Sequence, residues 1–143
     1  MKPFQLSNNE VVGTMEVKTH KIASKKIVGE PIEIKDGSYA IARLLTSEEM
    51  VVDEKGLIHG GFTFGLADFT CMLAVNHPNV VLGSSNVKFI GPVKVGDLLE
   101  SRATITNIDS RKSEVEIEVK VSNRLVLTGI MSCYTLDQHV LQK

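Results

Sequence analysis

The sequence predicts an α+β fold in which one curved antiparallel sheet wraps around a single long buried helix. Three observations carry that prediction. From Leu57 to Val75 runs a nearly continuous apolar stretch, interrupted by one formal charge at Asp68 and long enough for several helical turns. Between Lys112 and Val121, the residues Val115, Ile117, Val119 and Val121 alternate with Glu114, Glu116, Glu118 and Lys120, the period of a strand with one wet face. Turn residues separate several further β-rich segments on either side of the apolar run. A helix that is apolar nearly all round has to be covered, and one sheet curved around it satisfies both patterns with a single core.

The elements follow in order. Residues 1–26 are a mixed polar lead-in with no assigned structure, and a single domain spans 27–143. Ile27 to Ile34 and Tyr39 to Leu45 read as two strands joined at Lys35-Asp36-Gly37 and paired as a hairpin. Thr46 to Met50 reads as a capped turn, and Asp53 to Gly56 as the loop that delivers the chain to the helix. His59-Gly60-Gly61 opens the helix and Asn76-His77-Pro78-Asn79 stops it. Val80 to Ile90 is a third strand, ended by Gly91-Pro92. After a turn at Val95-Gly96-Asp97, strands at Leu98 to Ile108, Lys112 to Val121 and Arg124 to Thr135 complete a meander of about four antiparallel strands.

Composition removes several classes of function. With 143 residues the chain is long enough for one real core and too short for two ordinary domains. Lys and Arg number 16 against 17 for Asp and Glu, a formal net charge of −1 without a dense basic tract, so nucleic-acid binding is not expected as the main function. Cys71 and Cys133 show no Cys-x-x-Cys spacing and the N-terminus carries no signal-like apolar segment, which points to a reduced, cytoplasmic protein. The one long apolar run contains Asp68 and several Gly and Thr, so no membrane span is expected. His20, His59, His77 and His139 lack metal-ligand spacing, and there is no Gly-x-Ser-x-Gly elbow for a serine nucleophile.

What remains is the helix itself. On a helical wheel Gly61, Phe64, Gly65, Asp68, Cys71, Met72 and Val75 share one face. Burying a lone carboxylate is costly unless it is paired, hydrogen-bonded or protonated, so Asp68 is either a structural residue binding backbone N–H groups or a functional acid. Gly60 and Gly61, read alone, are a tight turn. At a helix start they also leave unpaired N–H groups open to a substrate oxygen, the geometry of an oxyanion hole. Gly61 and Asp68 are seven positions, or roughly 10 Å, apart along the axis, so one helix cannot easily offer both to the same carbonyl. Two copies set antiparallel across a two-fold axis can, which makes an obligate homodimer with two shared sites the expectation.

The string His59-Gly60-Gly61-Phe62-Thr63-Phe64-Gly65-Leu66-Ala67-Asp68, with Val87-Lys88-Phe89-Ile90-Gly91-Pro92-Val93 and Gly96-Asp97 further on, resembles the hotdog superfamily. It is most similar to the phenylacetate-degradation-type acyl-CoA thioesterases, a branch like the 4-hydroxybenzoyl-CoA thioesterases. The likeness runs from about Pro31 to Thr135, and the eight positions from Gly60 to Asp68 fit that branch. It implies hydrolysis of an acyl-CoA, with neither metal nor cofactor, in a dimer sharing one continuous sheet and often paired into a tetramer. By the same implication Asp68 is the general base or nucleophile, Gly61 supplies the oxyanion-hole N–H, Gly60 permits the approach, and His59 orients or contacts substrate. In such a fold Ser84, Ser85 and Asn86 precede a strand beside the helix and are candidates to bind water or the acyl group, while Cys71 shares the Asp68 face. Phe62, Phe64, Phe69, Met50 and Met72 are candidates to line the acyl pocket, though each is equally a core residue. Lys88, Lys94 and Arg111 are candidates for the CoA phosphates. The helix holds neither a Glu nor an internal His, which argues against the superfamily's dehydratases. The competing reading is a non-catalytic protein that binds or senses an acyl-CoA.

Overall fold

The computed structural model describes residues 15–142. Strands β1 (Glu30–Lys35) and β2 (Tyr39–Leu45) precede a 3-10 turn at Glu48–Met50 and helix α1 (Gly60–Val75). Strands β3 (Val80–Phe89), β4 (Leu98–Asp109), β5 (Lys112–Val121) and β6 (Arg124–Thr135) follow. All six strands form one antiparallel sheet in the order β1-β2-β4-β5-β6-β3. This is the hotdog architecture that the sequence predicts, and among the described residues no helix is long and apolar enough to cross a membrane.

The sheet is shaped to receive the helix. On its inner face Ala40 stands opposite Ala103 and Ala42 opposite Ser101, so the β2–β4 region presents small side chains where the helix lies closest. Against them Leu66, Ala67, Thr70, Leu73 and Ala74 are all fully buried. Val115, Ile117 and Val119 of β5 and Leu127, Met131 and Cys133 of β6 complete the core. The alternation in β5 therefore does what its period requires, with valines and isoleucine inward and the glutamates toward water.

Three expectations need correcting. The first strand begins at Glu30 rather than Ile27, because Ser24 captures the next residues: its hydroxyl accepts from the N–H groups of Lys26 and Ile27, and its carbonyl from those of Val28 and Gly29. Within Thr46 to Met50 the turn is a single 3-10 turn at Glu48–Met50, and its N-cap, Ser47, makes no side-chain capping bond. The third strand does not join a four-strand meander. β3 lies at the sheet's edge beside β6, and β4 pairs with β2. The link from Ile90 to Asp97 is a crossover held under the helix entry, with Ile58 N–H donating to Val93 C=O at 2.9 Å and Val95 N–H to Gly56 C=O at 2.8 Å. Gly91-Pro92 ends the strand and commits the chain to that path.

Two glycines permit the β3 edge to seat. A Cβ at Gly129 on β6 would stand 2.3 Å from Asn86 O, and one at Gly83 would stand 2.3 Å from a Tyr134 ring carbon. Gly83 sits at the irregularity in register between Leu82 and Ser84, the bulge that bends β3 along the helix.

Candidate active site

The helix is buried along most of its length, but not all round as its composition predicts. Gly60 and Gly61 are exposed, and Phe64, Gly65, Asp68 and Val75 are only partly covered, while Cys71 and Met72 of the same predicted face are buried. In a single chain the helix therefore carries one open stripe, and Asp68 lies on it.

Asp68 borders a cavity of about 370 Å³. Its other walls are Met72 one turn on, the first residues of β3 (Val80–Leu82), Thr19 and His20 of the lead-in, and His139 near the C-terminus. Burial raises the carboxyl's pKa above its ordinary value, and the nearby His20 pulls it part of the way back. Burial in turn lowers the pKa of His20, opposed by Asp68. An aspartate whose proton affinity is raised toward the working pH is better matched to accept a proton.

At the helix start, His59 is the N-cap, and its Nδ1 accepts from Gly61 N–H at 2.7 Å. A Cβ on Gly61 would come within 2.8 Å of that nitrogen, so glycine is what lets the imidazole reach back. Among the described residues no hydrogen bond engages Gly60 N–H. Phe89, at the end of β3, stands 3.4 Å from where a Gly60 Cβ would be. The first turn thus presents an open N–H at Gly60 and, at Gly61, one already donated to His59.

The remaining predicted residues are dispersed. Met72 shares the Asp68 cavity. Cys71 is buried with its thiol pKa pushed well up by burial, then by Cys133 and Asp68, and Cys133 is pushed up to about 12 by burial and Asp68, so neither is a thiolate nucleophile at neutral pH. Phe62 and Phe64 are half-buried, whereas Met50 and Phe69 belong to the core. Ser84, Ser85 and Asn86 are exposed on β3 opposite Ser132, Met131 and Ile130, and Lys88 is exposed opposite Thr128. None of those four β3 residues borders the Asp68 cavity within one chain. Lys94 pairs with Leu57 beside the helix entry, while Arg111 lies at the β6 terminus, bonded to Thr135 and ion-paired with Asp137. The three cations do not form one cluster. No group of three His, Cys, Asp or Glu able to hold a metal occurs among the described residues.

Two residues that shape the surroundings of Asp68 do not stand out in the sequence. Asn76, read only as part of a stop signal, takes the left-handed conformation (φ 53°, ψ 41°) that ends the helix. Its side chain also holds the lead-in: Oδ1 accepts from Lys18 N–H at 2.9 Å, and Nδ2 donates to Glu16 C=O at 2.8 Å and Asp36 Oδ1 at 2.6 Å. Asp36 closes the clamp by pairing with Lys18 Nζ at 2.5 Å. The second residue is His20, which the clamped lead-in carries to the Asp68 cavity. An Asn directly after an apolar run was a visible signal for the first; nothing in the local pattern marked the second.

Comparison with known proteins adds to this geometry. The sequence model described as "Thioesterase superfamily" matches residues 55–128, just over half of the chain, from the loop before α1 into β6. The solved Pyrococcus horikoshii protein PH1136 is 53% identical and superposes with a TM-score of 0.88 over 90% of this chain and 98% of its own. A mutant of the phenylacetic acid degradation protein PaaI from Thermus thermophilus is 25% identical, with a TM-score of 0.70 over 77% of this chain and 95% of its own. Among curated proteins, methylthioribose-1-phosphate isomerase of Aquifex aeolicus is 46% identical over 104 residues, 73% of this chain but 23% of that protein. The transcription factor FapR of Thermoanaerobacter sp. is 27% identical over 126 residues, 88% of this chain and 63% of that protein. The chain thus spans less than two thirds of the length of these curated relatives.

Proposed function

The chain belongs to the thioesterase superfamily, and from that premise we propose that it hydrolyses an acyl-CoA thioester to the free acid and coenzyme A, with Asp68 as the acid–base group. The observation that carries this reading is the half-buried carboxylate on the open stripe of α1, beside a cavity and with a raised proton affinity. A protein that only bound a neutral thioester would gain nothing from burying an acid there.

The chemistry is short. Asp68 takes a proton from water as the water oxygen bonds to the thioester carbon, and the carbonyl π electrons move onto oxygen. That oxyanion accepts hydrogen bonds at the positive end of α1, from Gly60 N–H and from Gly61 N–H in place of His59 Nδ1. Collapse of the tetrahedral intermediate breaks the C–S bond, and the proton held by Asp68 passes to the departing thiolate. Because Gly61 and Asp68 stand roughly 10 Å apart along one helix, the donors come from a second copy, giving a homodimer with two shared sites. Met72 and Phe64 lie where the acyl group would be received, and Lys88 and the exposed Ser84-Ser85-Asn86 stretch of β3 belong to the edge that the second copy approaches. Pairing of dimers into a tetramer extends the same reading.

Release of free CoA from aryl, short-chain and medium-chain acyl-CoAs tests the proposal, with Asp68→Asn at matched folded concentration as the comparison. Steady turnover that drops at least about 100-fold in the variant is expected. Tight acyl-CoA binding without turnover in either protein would instead favour the sensing reading, for which the FapR likeness over 88% of this chain is the specific observation.

A further inference from the structure

The lead-in, which the thioesterase sequence model does not cover, brings a second ionisable group to Asp68. Three features show that His20 is held in place. Asn76 and Asp36 clamp residues 16 and 18 onto the end of α1. The next residue, Thr19, is buried, and its Oγ1 lies 2.8 Å from His20 Nδ1. The His20 residue is exposed on its outer side, while its ring packs beside Phe69, centroids 6.3 Å apart, on a positive-φ backbone (φ 53°) that histidine adopts more readily than most residues. With Nδ1 engaged by Thr19, Nε2 is the nitrogen left to act in the cavity.

We infer that His20 is a positioning residue that acts through Asp68, orienting the carboxylate from the lead-in side of the cavity that both residues border. The inference rests on the hydrolase reading for its chemistry. The titratable groups around Asp68 are His20 on the lead-in, His139 near the C-terminus, and Cys71 and Cys133 on α1 and β6; no Lys or Arg borders the cavity among the described residues. Of these, His20 is the group that in its protonated form favours the ionised Asp68, countering the effect of burial; burial lowers its own pKa, so that form belongs to the acid limb.

His20→Asn is the variant of choice, because Asn tolerates the left-handed backbone and can still meet Thr19, while lacking Nε2. With the best acyl-CoA substrate, kcat falls about 10- to 100-fold at nearly constant KM, since the loss is one of orientation. The acid limb of the kcat/KM profile moves to higher pH, and adding His20→Asn to Asp68→Asn costs nothing further. A His20→Asn enzyme with unchanged kcat and acid limb, beside a dead Asp68→Asn, overturns the inference and leaves the hydrolase standing. If the wild type turns over no thioester, the hydrolase reading fails on its own. The 13C NMR titration of the Asp68 carboxyl then decides about His20: a higher midpoint in His20→Asn supports the pairing, and an unchanged midpoint refutes it.

Discussion

At its C-terminal end the helix runs into Asn76, which is 4% exposed and hydrogen-bonded to the lead-in and to the β1–β2 turn; at its N-terminal end Gly60 and Gly61 are exposed and His59 alone reaches back. One end is closed by protein groups drawn from three parts of the chain, and the other leaves the Gly60 N–H without a partner among the described residues. Stability is concentrated where the helix stops, and the proposed chemistry has room where it starts. The same division runs along the helix: Leu66, Ala67, Thr70, Leu73 and Ala74 are sealed against the sheet, whereas in a single chain Gly61 is exposed and Phe64, Gly65 and Asp68 are only partly covered.

Substitutions at the two ends should therefore fail in different assays. Gly60→Pro deletes one N–H at the first helical position, where proline is favoured and where the preceding His59 is already extended (φ −61°, ψ 131°). Thioester hydrolysis should fall about 100-fold, the cost of one oxyanion donor, with little change in melting temperature. A loss of stability without a loss of rate would reverse the comparison. At the other end, Asn76→Ala forces alanine into a left-handed conformation and orphans the groups that hold the lead-in, so thermal unfolding should show a loss of about 3 kcal/mol. Asn76→Gly should recover only the backbone share of that loss.

A smaller effect separates the two faces of Asp68. Its folded proton affinity is raised chiefly by burial, so ionisation opposes folding once the pH exceeds the unfolded value of 3.8. Asp68→Asn should then melt at a higher temperature than wild type at neutral pH, and the gap should close as the pH falls toward that value. A gap that widens in acid would mean the carboxylate stabilises the fold. The smallest change expected is at Ser101, a fully buried hydroxyl on the inner face of β4 that has no hydrogen-bond partner. Ser101→Ala should be neutral or stabilising by up to about 1 kcal/mol in chemical denaturation.

Much of this organisation is legible in the sequence because it is written locally. The Gly60 start and Val75 end of α1, and the β5 alternation, follow from period and from stop residues beside them. Asp68 stands out because one charge breaks an apolar run. The place of β3 is different: its composition says strand, but whether it pairs with β4 or β6 depends on a crossover tucked beneath the helix entry, and period carries no information about partners. His20 is the extreme case. Its position is set by Asn76, more than fifty residues away, through bonds to a segment that has no periodicity of its own. The stripe is legible in part: the wheel puts Gly61, Phe64, Gly65 and Asp68 on one face, but the overall apolarity of the helix predicts burial all round and hides that this face is only partly covered in one chain.

The most direct test of a site completed between two chains is subunit mixing. Asp68→Asn and Gly60→Pro proteins, each nearly inactive alone, are unfolded together, refolded, and checked for mixed dimers by native mass spectrometry before CoA release is measured. Sites shared across a two-fold axis predict recovery of about a quarter of wild-type activity, because half of the randomly paired dimers are mixed and each of those carries one intact site. Mixed dimers that form and remain as inactive as their parents would contradict it, and would return Asp68 and the helix start to separate roles within one chain.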